Sequence, residues 1–350
     1  MSSETGFVRQ VSSSLQKYAA RHVSHDEWWL GSSMRERVLC SVRCPDRASA
    51  EIPGLTLEKR LKPLLRHVAN LWTLMGYPSR ENEWTLERKL KAIREAGFDG
   101  VCWAPSPELH QGVRRHGLIF VGGMAPRSAA EFPPLLAELQ RCGAHHVNVQ
   151  LGTHDTPTNE ALSMILTLME QARRFGLAPA VESHRGTCTE TPEKTYALAD
   201  AYQQVTGELL PIAWDFSHFA VVKHLMPGEF IARLLERPDL IANAQQFHFR
   251  PFNGHHVQVP ITDSRGQLTA EMQDWLPFAE AVLRSWLEQS GDSGREIFIC
   301  PELGPIEGGY ALSTFPDSWE DAKILREQID RLWARVTSGV DADQAVSRRR

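Results

Sequence analysis

The chain carries no surplus of positive charge: 38 Lys and Arg stand against 43 Asp and Glu, a net charge of −5. No basic field is available to hold a nucleic-acid backbone, which argues against a nucleic-acid partner. No apolar run approaches the ~18–20 residues of a membrane span, and the polar N-terminus lacks the apolar core of a signal peptide. A cytoplasmic protein without a membrane partner is the expectation. The six cysteines are scattered, mostly through apolar runs, and only Cys40 and Cys44 lie close together. No second Cys or His pair completes a zinc module, so free thiols in a reducing compartment are expected. A glycine-rich phosphate loop is also missing. The first candidate strand–helix turn, around Gly76-Tyr77-Pro78, has no dinucleotide-binding fingerprint.

What is present is a regular alternation. With 350 residues, 42% of them hydrophobic, the chain can bury a large core without disulfides. Up to Pro53 the pattern is irregular, with a polar run at Ser12 to Ser14 and a local packing anchor at Trp28-Trp29. Leu57, Leu61, Leu64 and Leu65 form one stripe, which predicts a helix over 55–65. Eight strand-length apolar runs then follow at 70–76, 100–104, 118–124, 146–152, 178–184, 211–218, 245–251 and 296–304. Amphipathic segments separate them; those at 84–96, 132–141 and 161–175 are each followed by a glycine suited to a C-cap, and 321–336 makes the eighth helix. Eight β/α units predict the α/β class and a closed (β/α)8 TIM barrel. The expected division is an N-terminal extension at 1–67, the barrel at 68–337 and a solvated tail at 338–350.

Side chains at the C-terminal ends of barrel strands point into the mouth, where such folds place their chemistry. Four consecutive predicted strands end in ionisable groups: Glu182, Asp215, His248 and Glu302. Period-two alternation puts Glu182 on one face with Ala180 and His184, His248 with Gln246 and Arg250, and Glu302 with Cys300. An apolar run ending in a charge is costly unless the charge is paired or bound to metal. Singly, each would read as a solvated, capping or core residue; as a set of four they predict a metal centre. Three carboxylates and one imidazole suit Mn²⁺ best, with Co²⁺, Mg²⁺ or Zn²⁺ as alternatives.

With these residues the chain resembles the xylose isomerase-like TIM barrel superfamily, in its ketose 3-epimerase, inosose isomerase and related sugar isomerase branches. The resemblance covers roughly 68–337. It maps the family's Glu, Asp, His and Glu ligands onto Glu182, Asp215, His248 and Glu302, and its substrate-binding His onto His218 in Asp215-Phe216-Ser217-His218. There are departures. Where the family often reads His-x-Lys-Asp, this chain reads His248-Phe249-Arg250-Pro251, and an Arg that the epimerases carry further on is replaced by Gly254, His255 and His256. Arg250 is the candidate substitute.

The resemblance implies proton transfer beside a carbonyl through an enediolate, with Glu182 and Glu302 as the acid–base pair and the metal as Lewis acid and template. Return of the proton to the opposite face gives epimerisation; return to the neighbouring carbon gives isomerisation. His218 and Arg250 would bind the polarised oxygens, and His184 would orient Glu182 or touch substrate. Gln150 ends the fourth strand and points inward with Asn148 as a substrate hydrogen-bonding residue, and Trp103 is a stacking platform or a packing residue at the rim. His154 and Asp155 read as solvated loop residues. The expected partner is a small carbohydrate, unphosphorylated, and the family implies a dimer or tetramer. Lyases on keto-inositols and enzymes of oxidised glycosides share these ligands and stay open. An apurinic-site endonuclease is disfavoured by the acidic charge, and a non-catalytic sugar-binding barrel by the presence of both acid–base carboxylates.

Overall fold

The computed structural model describes residues 63–144, 146–290 and 294–347. Eight parallel strands close into one barrel in chain order: β1 (Leu64–Asn70), β2 (Gly100–Trp103), β3 (Ile119–Met124), β4 (His146–Val149), β5 (Ala178–Glu182), β6 (Ile212–Trp214), β7 (Gln246–Phe249) and β8 (Glu296–Pro301). Closure comes from β1 against β8, with Leu64 opposite Glu296 and His67 opposite Ile299. The (β/α)8 expectation is met.

The helices between strands are α1 (Leu86–Glu95), α2 (Pro107–His116), α3 (Phe132–Arg141), α4 (Thr158–Phe175) and α5 (Pro192–Thr206). Three short ones follow β6: α6 (Phe216–Val222), α7 (Phe230–Leu234) and α8 (Pro238–Ala242). The last two are α9 (Ala270–Ser290) and α10 (Ser318–Ser347). Thr85, Ser106 and Thr191 start α1, α2 and α5 by accepting from the backbone N–H groups of Arg88, Leu109 and Lys194, which would otherwise lack partners. The expected stops hold as well: Gly97, Gly143 and Gly176 have φ of +79°, +75° and +65°, a conformation that favours glycine.

Two apolar regions result. Outside the barrel, Leu90, Leu136, Ile165, Val282 and Leu325 of the helices pack on Val101, Val147, Val181, Phe247 and Ile299 of the strands. Each such side chain contributes roughly 1.5–3 kcal/mol when fully buried. Inside, Val68, Cys102, Val121, Phe298 and Cys300 form a separate small cluster. Above this plug the inward positions turn polar, and that change of character makes room for a site. Cys102, Cys142, Cys188 and Cys300 are free and buried, as expected; Cys40 and Cys44 lie outside the described residues, as do Ser12 to Ser14 and Trp28-Trp29.

Most strands end earlier than their apolar runs, and three differences from the sequence reading stand out. The first strand lies earlier than 70–76, at Leu64–Asn70, and the apolar run after it forms a 3-10 helix, Leu71–Leu74. Leu64 and Leu65 are therefore strand and not the end of a helix; the rest of the expected helix lies outside the described residues. The strand was masked because Arg66 and His67 interrupt its apolar pattern. Both are paired, Arg66 with Asp99 and Glu296, and His67 Nε2 with Asp330 at 2.7 Å. Second, β6 stops at Trp214. Asp215 accepts from Ser217 N and starts α6, so His218 sits in the first turn of a helix and not on a strand. Third, α10 continues to Ser347, through most of the stretch expected as a solvated tail. No described helix is long and apolar enough to cross a membrane.

Candidate metal centre

Parallel register sets the mouth. β5 ends on Glu182, which pairs with Ala213 of β6, and Ala213 pairs in turn with Gln246 of β7. His248 lies opposite Cys300, so Glu302 stands one inward step beyond it. One ligand atom each from Glu182, His248 and Glu302 lies within 4.8 Å of the others, and all three residues are buried. His248 Nδ1 is 2.9 Å from Glu302 Oε2 and 3.6 Å from Glu182 Oε1. Amides hold the outer oxygens: Asn148 Nδ2 donates to Glu182 Oε2 at 2.6 Å, and Asn70 Nδ2 to Glu302 Oε1 at 2.7 Å. Glu182 Oε1 is buried with no hydrogen-bond partner.

The charges in this space are strongly coupled. Burial pushes the His248 imidazole down, but Glu302 and then Glu182 outweigh it and raise it to about 10. Burial likewise pushes Glu302 up, while His248 and Arg250 outweigh it and bring it to about 2. A proton on His248 thus supplies the positive charge that the two carboxylates require. A divalent ion held by the same three atoms would supply it in place of that proton, and would give Glu182 Oε1 its missing partner. Two carboxylate oxygens and an imidazole nitrogen are donors that fit such an ion.

Asp215, the fourth expected ligand, is turned to another group. Its Oδ1 accepts from Ser217 N at 3.0 Å and Ser217 Oγ at 2.6 Å. Its Oδ2 pairs with Arg250 Nη2 and lies 3.3 Å from His218 Nε2. Burial would raise its carboxyl, but Arg250 and then His218 hold it well below the usual carboxylate range. Arg250 is itself almost fully buried; its Nη1 is 3.7 Å from Glu302 Oε2, and the Tyr310 ring covers its guanidinium at 4.9 Å.

Of the other expected substrate-binding residues, His218 is brought to the rim of this group. Its ring meets that of half-buried His184 edge-on at 4.2 Å. His218 is held below its ordinary value by burial, against the pull of Asp215. Trp103 and Gln150 sit half-buried at the ends of β2 and β4, outside the hydrogen-bonded group around Glu182. The sequence reading missed Asn70, Asn148, Ser217, Gln246 and Tyr310 as members of the site. Asn148 and Gln246 share the inward period with residues that were named, so their signal was present. Asn70 carried none, because its strand was misplaced. Tyr310 lies in the loop after β8, where periodicity says nothing.

No family model and no curated protein sequence matches the chain. Solved structures do resemble it. A D-psicose 3-epimerase crystallised with D-fructose is 14% identical over 77% of this chain and 99% of its own, with a TM-score of 0.47. A xylose isomerase-like TIM barrel protein from Mycobacterium smegmatis in complex with magnesium is 16% identical over 77% and 97%, TM-score 0.47. A probable 3-DHS dehydratase from Bacillus anthracis is 13% identical over 75% and 99%, TM-score 0.48.

Proposed function

We propose that this protein is a divalent-metal-dependent isomerase or epimerase acting on a sugar or keto-sugar by proton transfer beside a carbonyl. One observation carries the reading: two buried carboxylates face each other across His248, and one of their oxygens, Glu182 Oε1, has no hydrogen-bond partner. Glu182, His248 and Glu302 would hold the ion, Mn²⁺ before Mg²⁺, Co²⁺ or Zn²⁺. When bound, the ion would polarise a carbonyl and fix the neighbouring hydroxyl.

The protein's own groups account for the rest. Asn148 pins one oxygen of Glu182 and Asn70 one of Glu302, so each carboxylate is oriented with its other oxygen toward the shared space. Such pinning keeps a base in reach of a carbon-bound proton without a search through rotamers. Carboxylates approaching from β5 and from β8 can remove a proton on one side of a substrate carbon and return it on the other. Arg250 and His218 supply cationic and neutral donors beside the oxygens where charge develops.

The test is deuterium uptake at α-carbons, followed by NMR in D₂O, over a panel of ketoses, inososes and 3-keto-glycosides. Uptake that a chelator abolishes and Mn²⁺ restores is the expected result. Loss of water from the substrate would reassign the same site to a lyase. Metal bound without uptake anywhere in the panel would overturn the proton-transfer reading.

A further inference from the structure

We infer that Arg185 is a specificity-determining residue, and that the substrate it selects is a ketose carrying a carboxylate at the end remote from its carbonyl. The inference rests on the proton-transfer reading above and names its substrate class. Arg185 lies in the loop after β5, three residues beyond Glu182, and its side chain is exposed. Its guanidinium stands over the Tyr310 ring at 4.8 Å, and that of Arg250 lies against the same ring at 4.9 Å. Both are within reach of a cation–π contact. Arg185 is thus one aromatic ring away from Arg250, whose Nη1 is 3.7 Å from Glu302 Oε2. A substrate with its carbonyl between Glu182 and Glu302 would present its far end to Arg185.

The two arginines differ in what balances them. Asp215 pairs with Arg250. Among the described residues no carboxylate pairs with Arg185, and the acids that follow it along the chain are engaged elsewhere, Glu190 with Lys194 and Glu193 with Lys223. Glu182, Asp215 and Glu302 together balance Arg250 and a divalent ion once His248 is neutral, whichever of them hold that ion. The Arg185 guanidinium is the charge left over in this group. One negative charge on the substrate answers it, and a planar carboxylate matches the guanidinium fork with two parallel hydrogen bonds. A phosphate dianion would overshoot, and an uncharged sugar would leave the cation unanswered. The loop is also held in place. Thr187 Oγ1 donates to His184 O at 2.6 Å, His184 Nδ1 is 2.5 Å from Arg185 O, and Cys188 N donates to Leu151 O at 3.0 Å. Gly186, with φ of +74°, makes the turn within these bonds. A fixed backbone and a side chain laid on a ring leave less freedom to lose on binding.

Three matched ketoses that differ at C6 test this: D-fructose, D-fructuronate and D-fructose 6-phosphate. The metal-loaded full chain is assayed for deuterium uptake beside the carbonyl and titrated with each by calorimetry. Wild type should favour D-fructuronate over D-fructose by about 10–100-fold in kcat/KM, the range for a hydrogen-bonded contact to a charged group. Arg185→Gln should bring the two substrates close to parity through KM rather than kcat, because the contact is made alike in the ground and transition states. Arg185→Lys should restore part of the preference. Parity in wild type, or a preference that Arg185→Gln leaves intact, would overturn the role of Arg185. A preference for D-fructose 6-phosphate over D-fructuronate would overturn the carboxylate. No uptake from any of the three would count against the proton-transfer reading instead, and calorimetry would still decide the role of Arg185. D-fructuronate should then bind wild type about 10–100-fold more tightly than Arg185→Gln, and equal or undetectable binding would overturn the proposal.

Discussion

Gln246 links two histidines through one amide: its Oε1 is 3.0 Å from His146 Nε2, and its Nε2 is 2.7 Å from His248 Nε2. An amide can present a donor or an acceptor by turning about its last bond. His248 Nε2 carries a hydrogen both in the protonated form and in the neutral form that binds an ion through Nδ1, so in either the amide serves it by presenting its oxygen. His146 is stacked on Phe298 at 5.4 Å, which fixes the far end of the chain. Gln246→Leu removes this support without touching a ligand. We expect Mn²⁺ affinity to fall by about 10–100-fold, measured by calorimetry, with little change in thermal unfolding of the chelated protein. Wild-type affinity in the variant would show that His248 needs no such partner.

Glu182→Gln and Glu302→Gln should each lower turnover by about 10²–10⁴-fold when assayed at saturating metal, the range for a positioned acid or base. If the two carboxylates serve opposite faces, a single variant should still exchange a substrate proton with solvent while failing to complete the epimerisation. Equal wild-type turnover in either would exclude the two-base scheme.

Gly304 lies just after Glu302, and a Cβ there would come within 2.4 Å of Trp72 Cη2 and 2.7 Å of Tyr310 Cβ. Trp72 N in turn donates to Asn70 Oδ1 at 3.0 Å, and Tyr310 covers Arg250. Gly304→Ala should therefore destabilise by about 1–3 kcal/mol, as overpacking does, and also weaken Mn²⁺ binding through Asn70. Urea unfolding and metal titration on one preparation check both halves.

Asp321, at the start of α10, accepts from Ile261 N at 2.8 Å and Thr262 Oγ1 at 2.7 Å and ties the β7–α9 loop to the last helix. Burial raises its carboxyl, outweighing the bonds from Thr262 and Ile261 that lower it. A carboxyl raised on folding contributes fully below its unfolded value, about 3.9, and less as pH rises through the raised value. Asp321→Asn keeps one acceptor and does not titrate. The stability difference, wild type minus variant, should accordingly be largest near the ordinary carboxylate value and narrow toward neutral pH, followed by urea unfolding at several pH values. A difference that widens with pH would contradict the sign.

Period-two reading of the late strands was informative because Glu182, His248 and Glu302 each follow an inward small or polar residue on the same face. It placed these three side chains at one mouth, where the structure brings a ligand atom of each within 4.8 Å of the others. The alternation does not give the hydrogen-bond partners of Asp215. A carboxylate at a strand end and a carboxylate capping the next helix have the same sequence, and only the partner chooses between them; here the partner is Arg250, 35 positions away. β1 was misread for a related reason, since Arg66 and His67 break the apolar pattern and are stabilised by Asp99, Glu296 and Asp330 from other elements. The three helices between β6 and β7 were equally hidden, being too short to show a period.

The bond from Asn70 to Glu302 joins residues 232 positions apart, the first strand to the end of the last. A chain still being synthesised, or one with β1 detached, lacks that bond however well its middle six strands pair. Loop-closure entropy opposes contacts of such span until the intervening strands are in place. Glu302 Oε1 therefore gains its amide partner at the moment the cylinder shuts, so an incompletely folded molecule has a looser base, held through Oε2 alone. The catalytic competence of the proposed site and the integrity of its seam would then be lost together, and cutting the chain anywhere between β1 and β2 would silence it without removing a single ligand.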